Sequence, residues 1–166
     1  MKTGSRSPDG ITGPCGTSLI AALREGMLRV AGREGDGAIL TWLSAEDVAR
    51  VAPIVHAQGS GKEIVARIFV CPNPDTETVR AMARLAVNAY LNVPVYAAFH
   101  EWLGRDGALA GMWKHWREGD RKAAAAAIPD RVVDELIVHG PPEACREHIA
   151  RYVANGVTTP VIGLLP

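Results

Sequence analysis

Residues 19–42 hold two short apolar runs separated by one amphipathic segment, and that spacing leaves little besides a βαβ unit. The run 19–23 reads as a strand, and from Arg24 the apolar residues Met27, Leu28, Val30 and Ala31 fall on one helical face. Gly35, Asp36 and Gly37 stop the helix, and Ala38, Ile39 and Leu40 form a second run too short for anything but a buried strand. A helical crossover of this kind implies parallel pairing, so both strands open their carboxyl ends on the same side. Ligands of parallel α/β folds sit at that side, where main-chain N–H groups of the following helix point outward. Ala21, Ala22 and Gly26 are small enough for close approach, and Arg24 places a cation beside the helix N-terminus, which suits phosphate. A tight strand-to-helix turn with no ligand has the same features.

Further along, Ser44 with Asp47 is a capping-box start for a helix carrying Val48, Val51 and Val55 through Pro53. Residues 64–71, IVARIFVC, read as a third buried strand, and Asp75 opens a helix with one broad apolar face to Leu91. The stretch 92–130 is a long excursion holding Tyr96, Phe99, Trp102, Trp113 and Trp116; the last two can share a helix face, and 122–128 reads as a short helix. Residues 131–138 are helical in pattern, and a helix from Pro142 to Ala154 turns Cys145, Ile149, Tyr152 and Val153 inward. The run 159–165 is a fourth parallel strand with no later helix to cover it. Residues 1–17, rich in Gly, Ser, Pro and Thr, read as a flexible leader before a domain over 18–166.

Several chemistries drop out on spacing. Gly61-Lys62 lacks the first glycine and the Ser/Thr of a phosphate loop, and a strand follows it instead of a helix. His100-Glu101 lacks the second histidine of a zinc-protease helix, and the five histidines show no metal-ligand spacing, so no metal is expected. Lys plus Arg equals Asp plus Glu, 18 each, which gives no electrostatic case for nucleic acid or anionic membrane. Cys15, Cys71 and Cys145 form no C-x-x-C pair, and no run is long and apolar enough to span a bilayer, which fits a cytoplasmic protein.

The run AALREGMLRVAGREGDGAILTW resembles a segment of the bacterial-luciferase-like superfamily of flavin- or deazaflavin-dependent oxidoreductases, with its coenzyme F-420 branch nearest. The resemblance continues through EIVARIFVC, NVPVYAAFHEWLG and the stretch from VVDELIVHGPPEAC to the end. It implies the C-terminal half of a (β/α)8 TIM barrel, about four parallel strands with covering helices and a helical insertion (92–130) after the third strand. It also implies hydride transfer between coenzyme F-420, or alternatively FMN, and a small organic substrate. Leu23, Arg24, Gly26 and Met27 match the loop that binds the cofactor's phosphate-bearing tail, although Leu23-Arg24-Glu25 departs from the Gly-Gly-Pro of some deazaflavin enzymes. Thr41 matches a substrate-facing position, and His100 and Trp102 join it from the excursion expected over the mouth.

The groups that embrace the flavin ring belong to earlier strands in that family, so no catalytic residue is named. Ile39, Ile64, Ile68 and Val161 are expected to face the barrel interior, and four strands leave two bare edges. That implies a truncated chain that forms a homodimer or pairs with an N-terminal half. A non-catalytic half-barrel, or an α/β binding domain without flavin, stays open beside the oxidoreductase.

Overall fold

A computed structural model describes residues 16–165; the expected leader over 1–17 falls outside them except for its last two positions. The described residues open with β1 (Leu19–Ala21), α1 (Glu25–Glu34), β2 (Gly37–Thr41), α2 (Ala45–His56) and β3 (Glu63–Cys71). Five helices follow without an intervening strand: α3 (Thr76–Leu91), α4 (Pro94–Trp102), α5 (Asp106–Arg117), α6 (Arg121–Ala126) and α7 (Asp130–Leu136). The short β4 (Ile137–His139), α8 (Pro142–Ala154) and β5 (Thr159–Leu164) are the last described elements. This is the C-terminal half of a TIM barrel, with a helical insertion after the third strand.

All strand pairs among the described residues are parallel. Residues 65–67 of β3 pair with both β2 and β5, and residues 69–70 with both β4 and β5. Each residue has only two edges, so β5 runs along one side of β3 while β2 and β4 share the other, end to end. β4 is a correction to the sequence reading, which continued the helix to Val138: Ile137 and Val138 are β-branched, and extended pairing with Phe69 and Val70 overrides their helical spacing.

Register sorts the side chains. Ala38, Leu40, Ile64, Ala66, Ile68 and Val70 lie on one face, in a core with Leu28 and Ala31 of α1, Val48, Val51 and Val55 of α2, and Tyr152 of α8. Ile64 and Ile68 therefore pack under helices instead of facing the barrel interior as expected, because β3 starts at Glu63 and places its even-numbered residues outward. Ile39 and Val161 do lie on the opposite face, 39% and 45% exposed. Val153 is also corrected, being half exposed, whereas Cys145 and Tyr152 of the same helix are buried. No later helix in the described residues covers β5, and Ile162 and Leu164 stand exposed on its outer face.

A second core gathers at the carboxyl ends of the strands. Phe69 and Cys71 of β3 and Ile137 of β4 meet Val79, Ala83, Val87 and Leu91 of α3, with residues of α5, α6 and α7 behind them. Trp42, just past β2, adopts φ 56°, a left-handed conformation rare for a bulky residue, and thereby sets its ring 4.3 Å from Phe69 and 4.9 Å from Tyr90. The predicted capping box is present: Asp47 N–H donates to Ser44 Oγ at 3.1 Å and Ser44 N–H to Asp47 Oδ2 at 2.8 Å. At the crossing of α1 and α2, Gly32 has no room for a side chain, since a Cβ would stand 2.5 Å from the carbonyl oxygen of Val55. Gly32→Ala is expected to lower stability by about 1 to 3 kcal/mol despite alanine's better helix propensity, as urea denaturation would show.

Candidate functional site

The strand-to-helix turn after β1 borders a cavity of about 960 Å³. Its floor comes from β1, β2 and the first two turns of α1, and its far wall from Val95, Tyr96 and Trp102 of α4. The volume lies in the range of small-molecule sites, about 300 to 1,000 Å³. Leu23, Arg24, Gly26, Met27, Thr41 and Trp102 all line it, so six of the seven residues singled out by sequence come together here.

His100 does not. It is fully buried in α4, and neither ring nitrogen has a hydrogen-bond partner. Burial, and secondarily the Arg105 cation, push its pKa down to about 4; Asp47 and the nearby Trp42 backbone favour the charged form too weakly to prevent this. His100 is a neutral core residue, and its chain neighbour Phe99 is fully buried as well. Trp113 and Trp116 pack into the insertion: the Trp113 indole donates to the Leu91 carbonyl at 2.9 Å, and Trp116 lies under the Arg121 guanidinium at 3.6 Å.

Local geometry gives the turn its polarity. Arg24 caps α1 in an extended conformation and supplies no side-chain hydrogen bond to the helix. The first intrahelical bond of the turn runs from Leu28 N–H to Arg24 O, 2.9 Å, which leaves the N–H groups of residues 25–27 ahead of it at the positive end of the helix dipole. Glu25, which would oppose an anion there, is bound by Arg29 at 2.6 Å. Arg24 forms no ion pair among the described residues, and a side chain at Gly26 would meet open space. A phosphate-bearing group therefore fits this end of the cavity.

The α4 wall is held from outside. Arg50 of α2 lies 4.1 Å over the Trp102 ring, a contact that links two elements distant in sequence and has no local signature. Arg105, which begins α5 just after that wall, bonds to Asp47 at 2.9 Å and to Glu135 at 2.8 Å. Burial works against its charge, but the two carboxylates outweigh burial and hold its pKa above the ordinary value. The capping box of α2, the start of α5 and the end of α7 are thus joined through one guanidinium. No cluster of histidine, cysteine and carboxylate groups among the described residues is arranged to hold a metal, and no helix of the described residues is long and apolar enough to cross a membrane.

A parallel sheet with covering helices and an apolar cavity at the carboxyl ends of its strands is the arrangement of an α/β protein, here half of a barrel. Within that class the chain belongs to the luciferase-like monooxygenase family, whose model matches residues 8–159. Among solved structures it resembles the coenzyme F420 dependent tetrahydromethanopterin reductase from Methanopyrus kandleri, with a TM-score of 0.70 at 17% identity over 89% of this chain. It also resembles an F420-dependent secondary alcohol dehydrogenase in complex with an F420-acetone adduct, with a TM-score of 0.59 at 13% identity over 88% of this chain. Identities this low establish a shared fold. The chain spans 44% and 42% of those two proteins, less than half of each. A search of curated proteins gave no match.

Proposed function

We propose that this chain contributes half of the site of a deazaflavin- or flavin-dependent oxidoreductase acting on a small organic molecule. The observation that carries this reading is the uncapped N-terminus of α1, with unpaired Arg24 beside it, opening into the 960 Å³ cavity at the strand ends. Coenzyme F-420 is the preferred cofactor, with FMN the alternative, since both neighbours named above are F420-dependent. When bound, the cofactor accepts or donates the hydride. Leu23, Arg24, Gly26 and Met27 hold its phosphate-bearing tail against the main chain of the turn. Thr41 and Trp102 face the substrate, and the apolar wall of Val95 and Tyr96 keeps water from the reacting faces. His100 is left out of this reading because the core encloses it.

Arg24→Glu is expected to weaken binding of F-420 at least tenfold, equivalent to about 1.4 kcal/mol, because a repelling charge replaces an attracting one at the phosphate. Quenching of the deazaflavin fluorescence on titration measures it, and an unchanged affinity overturns the assignment of the turn. A non-catalytic half-barrel is the second reading, favoured by the exposed interior face at Ile39 and Val161. Purification with F-420 or FMN separates the two, since only the first retains a cofactor absorbance band.

A further inference from the structure

Register places Thr41 of β2, Arg67 of β3 and Val161 of β5 in one row on the interior face of the sheet. Thr41 borders the cavity, and neighbouring strands lie only about 4.8 Å apart, so the Arg67 side chain starts directly beside it. The guanidinium leans toward the carboxyl ends of the strands, where it lies 4.7 Å over the ring of Phe69, two residues further along β3. That is the end at which parallel barrels hold their ligands.

The surroundings of this cation are built. Phe69 is backed by the Trp42 ring at 4.3 Å, which the left-handed backbone of Trp42 sets in place. Gly163 of β5 is the register partner of Phe69, and it leaves the room that the guanidinium occupies: a Cβ there would stand 3.3 Å from Arg67 Nε and 3.5 Å from Phe69 Cδ1. Arg67 is bonded to no carboxylate and no carbonyl among the described residues, so its N–H donors are unanswered at the mouth of the sheet.

We infer that Arg67 binds the anionic group of the substrate, and that the substrate is an organic monocarboxylate with an apolar body. This rests on the oxidoreductase reading of the site and names the class of molecule it takes. Arg24 and Arg67 stand two strands, about 10 Å, apart across the sheet, so the space between β1 and β3 has a cation at each side. The Arg24 side, where main-chain N–H groups add to the charge, suits the phosphate of a cofactor. The Arg67 side offers one guanidinium and the Thr41 hydroxyl, which match the two oxygens and single charge of a carboxylate. Ile39, Val95, Tyr96 and Trp102 supply the apolar surface for the rest of the molecule.

Benzoate and its neutral isostere benzamide serve as probes, titrated into the full chain and followed by ligand-detected NMR. Wild type should bind benzoate about tenfold more tightly than benzamide, the difference that a charge-assisted hydrogen bond supplies. Arg67→Gln should abolish this preference and leave benzamide binding unchanged. Arg67→Lys should keep part of it, because an ammonium attracts the anion without the fork. Circular dichroism shows which variants fold, and Arg67→Lys decides if Arg67→Gln does not. Equal affinities in wild type, no binding of either probe, or a preference undiminished in the folded variant, which would put benzoate at Arg24, overturns the assignment. Neither probe is a flavin or a deazaflavin, so the F-420 titration can fail while this comparison holds, and the reverse.

Discussion

Replacing Arg105 with alanine is expected to lower the stability of the fold by about 3 kcal/mol, which for a chain of this size moves the thermal midpoint down by about 9 °C. The reason is that Arg105 and Asp47 are each only 11% exposed at the side chain, so removing the cation leaves the Asp47 carboxylate in a poorly hydrated position with only the Ser44 N–H to answer it. Glu135, 42% exposed, relaxes into water and contributes less. Arg105→Lys should fall between the two, because one ammonium cannot reproduce the fork that reaches both carboxylates. Differential scanning calorimetry of the three proteins at neutral pH provides the comparison. Equal midpoints for wild type and Arg105→Ala would mean that the bridge contributes nothing. Because the same residue fixes the junction between α4 and α5, a loosened Trp102 wall should accompany the lost stability.

Acidification should destabilise the protein through His100. Its pKa in the folded state is about 4 against an ordinary 6.5, so the unfolded chain binds the proton more readily. The contribution of the neutral ring is complete above pH 6.5 and is lost as pH falls toward 4, in total about 3 kcal/mol. Arg105 and Asp47, the charged groups that face the ring, act in opposite senses on it, and burial decides the outcome. The Asp134 carboxyl titrates at lower pH: burial raises its pKa, but bonds from Arg80 and His139 outweigh that and hold it below the ordinary value. The difference between wild type and His100→Leu therefore isolates the histidine. Urea unfolding at several values from pH 7.5 to 4 should show the variant losing less stability than wild type, and parallel curves would refute the assignment.

The elements that sequence reasoning located are those with strong local signals. The βαβ unit over residues 19–42, the capping box at Ser44 and the buried run of β3 each declare themselves through periodicity or turn chemistry, and all three are in the structure. The cavity was legible for a related reason: the end of a parallel strand and the start of its crossover helix are adjacent in sequence, so Leu23, Arg24, Gly26 and Met27 could be grouped before any tertiary contact was known. What escaped depends on long-range packing. The parity of β3, which sends Ile64 and Ile68 outward, follows from its register against β2. The short β4 exists only because β3 extends past β2 and leaves an edge to pair with. His100 looked like a site residue because it lies in the excursion expected over the mouth, but whether an α4 side chain points to the cavity or to the core depends on helix phase against α2, which periodicity over nine residues does not settle.

The position of β3 at the centre of the sheet also orders events in time. It is the strand on which β2, β4 and β5 all converge, and its bond from Ile64 N–H to Thr158 spans 94 residues. At about 5 to 20 residues per second, a ribosome delivers β5 roughly ten seconds after β3 has emerged. For that interval the nascent chain can complete β1, α1, β2 and α2 against one side of β3, and the insertion helices can form from nearby contacts, while the other side of β3 stays unpaired. The most vulnerable interval of this protein's synthesis is thus the one before β5 arrives, when one side of a central strand is still open and any other extended chain is a competitor for it.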